Sequence, residues 1–414
     1  MVLATNNPTA LQPFDEPSIE SDARKTLNLI ILELLKRTVV PVKSRSPNLG
    51  NLALVEEPEL AEFMMRNPDL FQKNFALVAA LGDSRFNLNG ARWETFRNRT
   101  QPAYNSASRP SERPLVAKHY QTAVDAFDPE NVNDIEVLLG KAALRVFMQA
   151  LGISPSIDAI IGLFPQVRTH AKLLQHFSWS GVKEPDVLAQ RANWLDTQFS
   201  DIFMADTLSR DFIQQAISGS QLDEWHPAVT DLMQNAFAGT ETTVATLCWA
   251  LRLVGQNQAL QEHMREEAQS GTDDMPVIRS FMSEVMRCLP PIPFVVRELT
   301  ADYEGHGRKF KKGQQIVLSI VGLHKHPDAW SDPNQFHATR SEFIDSKSAP
   351  KAFRPFLSGP RVCGGKRLAE MEMLTAMSAI LRKWQIFTDE ADVGYEYALA
   401  MRPASLGGVR IEAI

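Results

Sequence analysis

Hydrophobic positions recur along most of this chain at the three-to-four-residue spacing of amphipathic helices, separated by short polar turns. The spacing predicts helices over residues 134–151, 187–203, 225–254, 277–288 and 366–384. Strand-like pattern concentrates in two places. One is residues 51–55. The other is 297–323, where Glu304-Gly305-His306-Gly307 reads as a hairpin turn and residues 314–320 are rich in branched side chains. No internal repeat or low-complexity linker marks a boundary. The expectation is a mainly α fold with small β-sheets in one large domain, residues 1–414, whose polar first segment, about 1–22, is flexible.

The helix predicted over 225–254 is apolar almost all round, the mark of a helix buried through the middle of a protein. Its centre reads Ala238-Gly239-Thr240-Glu241-Thr242-Thr243. An interior glycine costs about 1 kcal/mol relative to alanine. Adjacent β-branched threonines add to that cost. A buried acid is expensive unless paired or protonated. Three unfavourable choices in one turn point to a site. Gly239 lets a flat group approach the backbone. A Thr242 hydroxyl bonded back to the Ala238 carbonyl would bend the helix there.

Composition narrows the class. The chain has 414 residues, is 44% hydrophobic and 22% charged, and carries a formal charge of −6, so no basic excess suggests a nucleic-acid partner. Three cysteines (Cys248, Cys288, Cys363) are too few and too scattered for a disulfide framework and fit a reducing compartment. The early apolar run 27–35 contains Glu33 and is short of the roughly 20 residues of a bilayer span. The expectation is a cytoplasmic, monomeric protein without a membrane anchor. His324-x-His326 has no carboxylate at zinc-like spacing and is read as structural.

The strongest local signal is Phe356-Leu357-Ser358-Gly359-Pro360-Arg361-Val362-Cys363-Gly364-Gly365, followed by a helical run. Phe, Gly, Arg, Cys and Gly at these offsets arise by chance in roughly one chain of this length in ten thousand. A lone cysteine is ordinarily inert core. In this setting it is what an iron–thiolate bond needs. Glycines let backbone N–H groups approach the sulfur, and the following helix turns its positive end toward it.

The cysteine loop, the Ala238–Thr243 segment and Glu284-Val285-Met286-Arg287 occur in the order found in the cytochrome P450 family, which the chain resembles from about residue 45 onward. Trp93-Glu94-Thr95-Phe96-Arg97 matches that family's Trp-x-x-x-Arg helix, and residues 289–297 resemble the stretch after its Glu-x-x-Arg helix. Two departures stand out. Ala338-Thr339-Arg340 replaces Pro-Glu-Arg, and Lys311-Lys312-Gly313 replaces Pro-Lys-Gly.

The resemblance implies the P450 fold around a buried haem b, with Cys363 as the iron ligand, Phe356 shielding the sulfur, and Gly359 and Gly365 shaping the loop. It implies haem propionates held by Trp93, Arg97, Arg297 and Arg361, with His119 as a further donor, and haem lying against Ala238 and Gly239. Glu284, Arg287 and Arg340 would form a charge network that fixes the cysteine loop. Glu241 and Thr242 would deliver protons to O2. Pocket-facing positions would be Asn235 (a polar anchor), Phe237, Ala238, Phe294, Val295 and Val296, roofed by residues 75–88 and 177–182. The implied activity is monooxygenation of an apolar substrate: terpenoid, steroid, fatty acyl or aromatic. A peroxide-driven peroxygenase and a non-catalytic haem sensor remain as alternatives on the same fold. The chain shows no Walker motif and no Gly-x-Gly-x-x-Gly, so electrons would come from a ferredoxin or flavodoxin with its NAD(P)H-dependent reductase, attracted in part by Lys366 and Arg367.

Overall fold

Helices form wherever an apolar stripe can be buried. A computed structural model describes residues 52–74, 82–180, 186–218, 225–344, 349–389 and 393–414. Its longer helices are α1 (Pro58–Arg66), α2 (Gly90–Ala107), α3 (Arg113–Asp125), α4 (Asp134–Ala150), α5 (Ile157–Ser180), α6 (Asp186–Ala205), α7 (Thr207–Ser218), α8 (Trp225–Gly255), α9 (Gln258–Gln269), α10 (Pro276–Cys288) and α11 (Lys366–Lys383). The five predicted helices are α4, α6, α8, α10 and α11, within two residues at each end. α11 stops one residue short because Trp384 opens a strand and its indole N–H donates to the Val124 carbonyl at 3.1 Å. The pattern gave less warning of α5 and α9. Pro165 interrupts α5, and the buried stripe of α9 includes polar Gln261 and Arg265. The polar segment 1–22 lies outside the described residues.

The strands are β1 (Leu52–Val55), β2 (Phe71–Lys73), β3 (Phe294–Leu299), β4 (Tyr303–Gly305), β5 (Arg308–Phe310), β6 (Gln315–Ser319), β7 (Trp384–Thr388), β8 (Tyr395–Tyr397), β9 (Met401–Pro403) and β10 (Val409–Ala413). The main sheet has the order β1-β6-β3-β2, with β1 parallel to β6. The predicted turn joins β4 to β5, and His306 and Gly307 take φ values of 49° and 68°, the left-handed pair a tight hairpin requires. Strand structure is not confined to the two predicted places. β7 pairs with β10, and β8 with β9. A three-residue strand is too short to show alternation in a sequence.

α8 runs through the core and packs against α4, α6, α7, α11, β7 and β9. Ala236, Leu247, Ala250, Leu251 and Val254 on it are fully buried. Burial of a leucine- or valine-sized side chain contributes about 1.5–3 kcal/mol. No described helix is long and apolar enough to cross a membrane.

Candidate active site

One cavity is lined by the centre of α8 (Phe237, Ala238, Gly239, Glu241, Thr242), by Val295 and Arg297 of β3, and by Phe356, Cys363 and Gly365. Cys363 exposes surface area, yet burial pushes its thiol pKa up. The two observations agree because that area faces the cavity and not bulk water. The backbone N–H groups of Gly365 and Lys366 bond toward the sulfur and act in the opposite sense, favouring the thiolate. The loop is closed by the Cys363 N–H donating to the Phe356 carbonyl at 2.9 Å. Gly359 sits at φ 68°, where a Cβ would collide with the Met65 carbonyl oxygen of α1. It shapes the loop without lining the cavity. A Cβ at Gly364 would strike the Arg85 guanidinium.

On α8 the Thr242 hydroxyl donates to the Ala238 carbonyl at 2.9 Å, the back-bond the sequence suggests, and Thr243 does the same to Gly239 at 3.2 Å. The neighbouring acid is paired. Arg168 of α5 donates through Nε (2.7 Å) and Nη2 (2.6 Å) to the Glu241 carboxylate. Burial works against the Arg168 charge, but Glu241 and Glu136 outweigh it and raise its pKa.

Several expected pocket residues lie elsewhere. Asn235 is fully buried and committed. Its Nδ2 donates to the Asp231 carbonyl at 2.7 Å, and its Oδ1 accepts from the Tyr104 hydroxyl at 3.2 Å. It is a structural bridge and not a substrate anchor. On β3, only Val295 of the three consecutive predictions lines the cavity. Successive strand residues point to opposite faces, so Phe294 and Val296 pack instead in a small cluster with Tyr397 and Met401. Of the predicted roof, Arg85 and Phe86 line the cavity. Residues 75–81 and the side chains of 177–182 lie outside the described residues.

The cationic wall also differs from expectation. Trp93, Arg297 and Arg361 line the cavity, with the Arg361 guanidinium 3.6 Å from the Trp93 ring centre. Arg97 does not line it. One turn along α2, it stacks 5.6 Å from the same indole, whose inner position Arg361 occupies. His119 of α3 does not line the cavity; it is half-buried and bonded to Gln149 at 2.8 Å. Two cations unforeseen in the sequence take these places: Lys73, paired in register with Arg297, and Arg85. None of Lys73, Arg85, Arg297 and Arg361 makes an ion pair among the described residues, and two guanidinium nitrogens of Arg361 are buried without a partner. Burial and then Arg361 push the Arg297 pKa down to about 10. Burial and three neighbouring arginines hold Lys73 well below the usual lysine value. Two buried and two half-buried cations on one wall, without an ion pair among the described residues, suit an anionic group.

Behind the loop, the predicted charge network is complete. Glu284 accepts from Arg287 Nε (2.7 Å) and Nη2 (2.8 Å), from Arg340 Nε (3.0 Å) and Nη2 (3.2 Å), and from the His337 N–H (2.8 Å). Arg340 takes its place although the residues before it depart from the family pattern. His324 carries the network forward. Its Nε2 accepts from the Arg354 N–H at 2.9 Å, so its Nδ1–H is the group facing the Arg287 carbonyl at 3.2 Å. Burial, reinforced by Arg287, pushes the His324 pKa down to about 3, which keeps it neutral.

Residues 171–399, more than half of the chain, match the family described as Cytochrome P450. The chain belongs to the cytochrome P450 family. It is 28% identical to human cytochrome P450 4F12 over 250 residues and 32% identical to mouse cytochrome P450 4X1 over 218. These matches cover 55% and 49% of this chain but only 48% and 42% of the relatives' lengths. A longer match, 24% identical, joins 81% of the chain to 75% of human cytochrome P450 4F2. Among solved structures, a zebrafish cytochrome P450 with progesterone superposes with a TM-score of 0.73 at 18% identity, covering 94% of this chain and 99% of that one. The retinoic-acid-bound cyanobacterial CYP120A1 gives 0.69 at 17% identity, covering 88% and 89%. The likeness establishes the P450 fold. Members of the family carry haem b on a cysteine thiolate. The residues present here fit that group: a cysteine with two amides aimed at its sulfur, and buried cations without an anion.

Proposed function

We propose that this protein is a haem-thiolate monooxygenase that inserts one oxygen atom of O2 into an apolar small molecule and reduces the other to water. The observation that carries the reading is that Cys363, with amides directed at its sulfur, shares one cavity with the back-bonded Thr242 of α8. Bound there, haem supplies the iron at which O2 is reduced and its oxygen transferred. Cys363 holds the iron, and the Gly365 and Lys366 N–H groups stabilise its charge. Lys73, Arg85, Arg297, Arg361 and the Trp93 indole receive the propionates, which would relieve their mutual repulsion.

Protons come from the α8 side. The Thr242 hydroxyl, anchored on Ala238, presents its lone pairs toward the cavity and passes a proton by swinging off that carbonyl. Glu241 resupplies it through water once Arg168 releases the carboxylate. Apolar groups at Phe86, Phe147, Phe237, Val295 and Leu399 suit a terpenoid, steroid, fatty acyl or aromatic substrate. Neighbours of this fold solved with retinoic acid and progesterone agree with that class. Electrons would arrive from a ferredoxin or flavodoxin with its NAD(P)H-dependent reductase, steered by exposed Lys366 and Arg367, in a cytoplasmic monomer.

The reduced protein with carbon monoxide should show the absorbance band of a thiolate-ligated haem, and Cys363→Ala should abolish it. A normal band in that variant would refute the ligand assignment. Product formed with O2 and an electron donor, but not with peroxide alone, separates a monooxygenase from a peroxygenase. Absence of product under both conditions would favour a sensor.

A further inference from the structure

The Arg168–Glu241 pair is one end of a longer chain of charges. Arg168 Nη2 also donates to Glu136 Oε1 of α4 at 2.9 Å. The same Glu136 oxygen accepts from Arg402 Nη1 of β9. Arg402 Nη2 lies 3.5 Å from Glu396 of β8, which lies 3.8 Å from Lys172 of α5. Signs alternate from Glu241 to Lys172, and no side chain in the series exceeds 27% exposure, so solvent screens it weakly.

The β8–β9 hairpin at the far end touches the cavity. Tyr397, Leu399 and Ala400 line it. Leu399 holds φ at 147°, a conformation that costs a non-glycine residue energy and persists only when its surroundings impose it. Two ends of one charge chain therefore meet the same cavity, one at the hairpin and one at the acid of α8.

We propose that Arg402 is a positioning residue that sets how firmly Arg168 holds Glu241, linking release of the acid to the hairpin that contacts the contents of the cavity. The physical reason is competition for shared atoms. Glu136 Oε1 is divided between Arg168 and Arg402, while Arg168 Nη2 is divided between Glu136 and Glu241. Withdrawing Arg402 turns Glu136 wholly onto Arg168 and weakens the hold on Glu241. Neutralising Glu136 leaves Arg168 to Glu241 alone and strengthens it. The functional meaning of the link rests on the proton role proposed for Glu241; the link itself does not.

The Arg168 Nε–H donates to Glu241 Oε2 at 2.7 Å and reports that one bond. In holoprotein labelled with 15N-arginine, its resonance is assigned by its loss in Arg168→Lys, and its hydrogen-exchange rate is measured without turnover. Arg402→Gln should speed exchange about tenfold, Glu136→Gln should slow it, and Arg402→Lys should restore most of the native rate. Glu396→Gln, which leaves Arg402 to Glu136 alone and so draws Glu136 off Arg168, should slow exchange as Glu136→Gln does and opposite to Arg402→Gln. Unchanged rates, or Arg402→Gln and Glu136→Gln moving the rate in the same direction, would overturn the proposal. If Arg402→Gln does not fold, the Glu136 and Glu396 variants still decide it: both should slow exchange, and a faster rate in Glu396→Gln would overturn the proposal. The ratio of product to peroxide in Glu241→Gln tests the proton role separately. A native ratio there would defeat that role and leave the exchange result standing.

Discussion

Glu284→Gln tests how much of the haem site depends on a charge that never touches the cavity. The substitution keeps shape and removes one negative charge from between two guanidiniums, with Glu284 and Arg287 at 0% exposure and Arg340 at 4%. Arg287 keeps neutral acceptors at the His324, Pro333 and Gln335 carbonyls, and Arg340 keeps those of Ser331 and Gln335. The hydrogen bonds are therefore partly replaceable, but the charge is not. Stranding a buried charge costs roughly 3–5 kcal/mol, and two cations share this anion, so the upper end applies. At about 2.1 cal/mol/K per residue, 414 residues give an unfolding entropy near 0.9 kcal/mol/K, and ~5 kcal/mol lowers the midpoint by about 6 °C.

The effect should carry a pH signature. Burial raises the Glu284 pKa, but its bonds to Arg287 and Arg340 outweigh this and bring it below 4.5. A depressed carboxyl stabilises fully above the unfolded value and loses that contribution as pH falls through the folded one. The gap between native protein and Glu284→Gln should thus be widest near neutrality and close below about pH 4.5. Because His324 carries the network to Arg354, two residues before Phe356, the variant should also lose thiolate-ligated haem in proportion. Thermal unfolding at neutral and acid pH, with the carbon monoxide spectrum, measures both. A neutral-pH midpoint within about 1 °C of native, with full haem content, would refute the argument.

Thr242→Ala should retain haem and fold, since it removes only a back-bond on α8, yet divert most electrons to hydrogen peroxide; unchanged product per electron would exclude the hydroxyl. Gly359→Ala should destabilise by about 1–3 kcal/mol and shed haem, because its φ of 68° and the Met65 backbone both resist a Cβ. Gly364→Ala should be milder in thermal melts, because the obstructing Arg85 and Gln101 groups are side-chain ends that can move. Lys73→Met should stabilise the apoprotein while weakening haem retention, read by melting and by haem transfer to apomyoglobin. Burial and three arginines depress the Lys73 pKa, so apoprotein stability should rise as pH climbs from that lowered value toward 10.5, and the variant should lack this rise.

The residues legible in the sequence were those that break local rules. Gly239, Glu241 and Thr242 are poor choices for the centre of a buried helix, and the structure places all three on the cavity wall. Cys363, Arg361 and Gly365 were legible because a thiolate loop constrains each position within ten residues of chain. The misses share another cause. Lys73 stands on a three-residue strand and Arg85 in a loop, and each is an ordinary polar residue where it sits. Only the pairing of β2 with β3, across more than two hundred residues of chain, brings Lys73 beside Arg297. Asn235 misled because it lies one turn from Gly239, though its amide is spent on Asp231 and Tyr104. Phe294 and Val296 misled because three adjacent strand residues cannot share a face.

That difference separates two sets of residues on the cavity wall. The cysteine loop and the Gly239–Thr242 turn are fixed by local constraint and could be read in order along the chain, whereas Lys73 and Arg85 could not. The apolar groups of the cavity wall come from long-range assembly: Phe86 from a loop, Phe147 from α4, Val295 from β3, Tyr397 and Leu399 from the C-terminal hairpin. None of them carries a charge, and none belongs to the cysteine loop or the Glu284 network. Glu241 joins the two sets, because its partner Arg168 reaches through Glu136 and Arg402 to that same hairpin. A substrate pressing on Leu399 would therefore act on the timing of proton delivery as well as on its own placement.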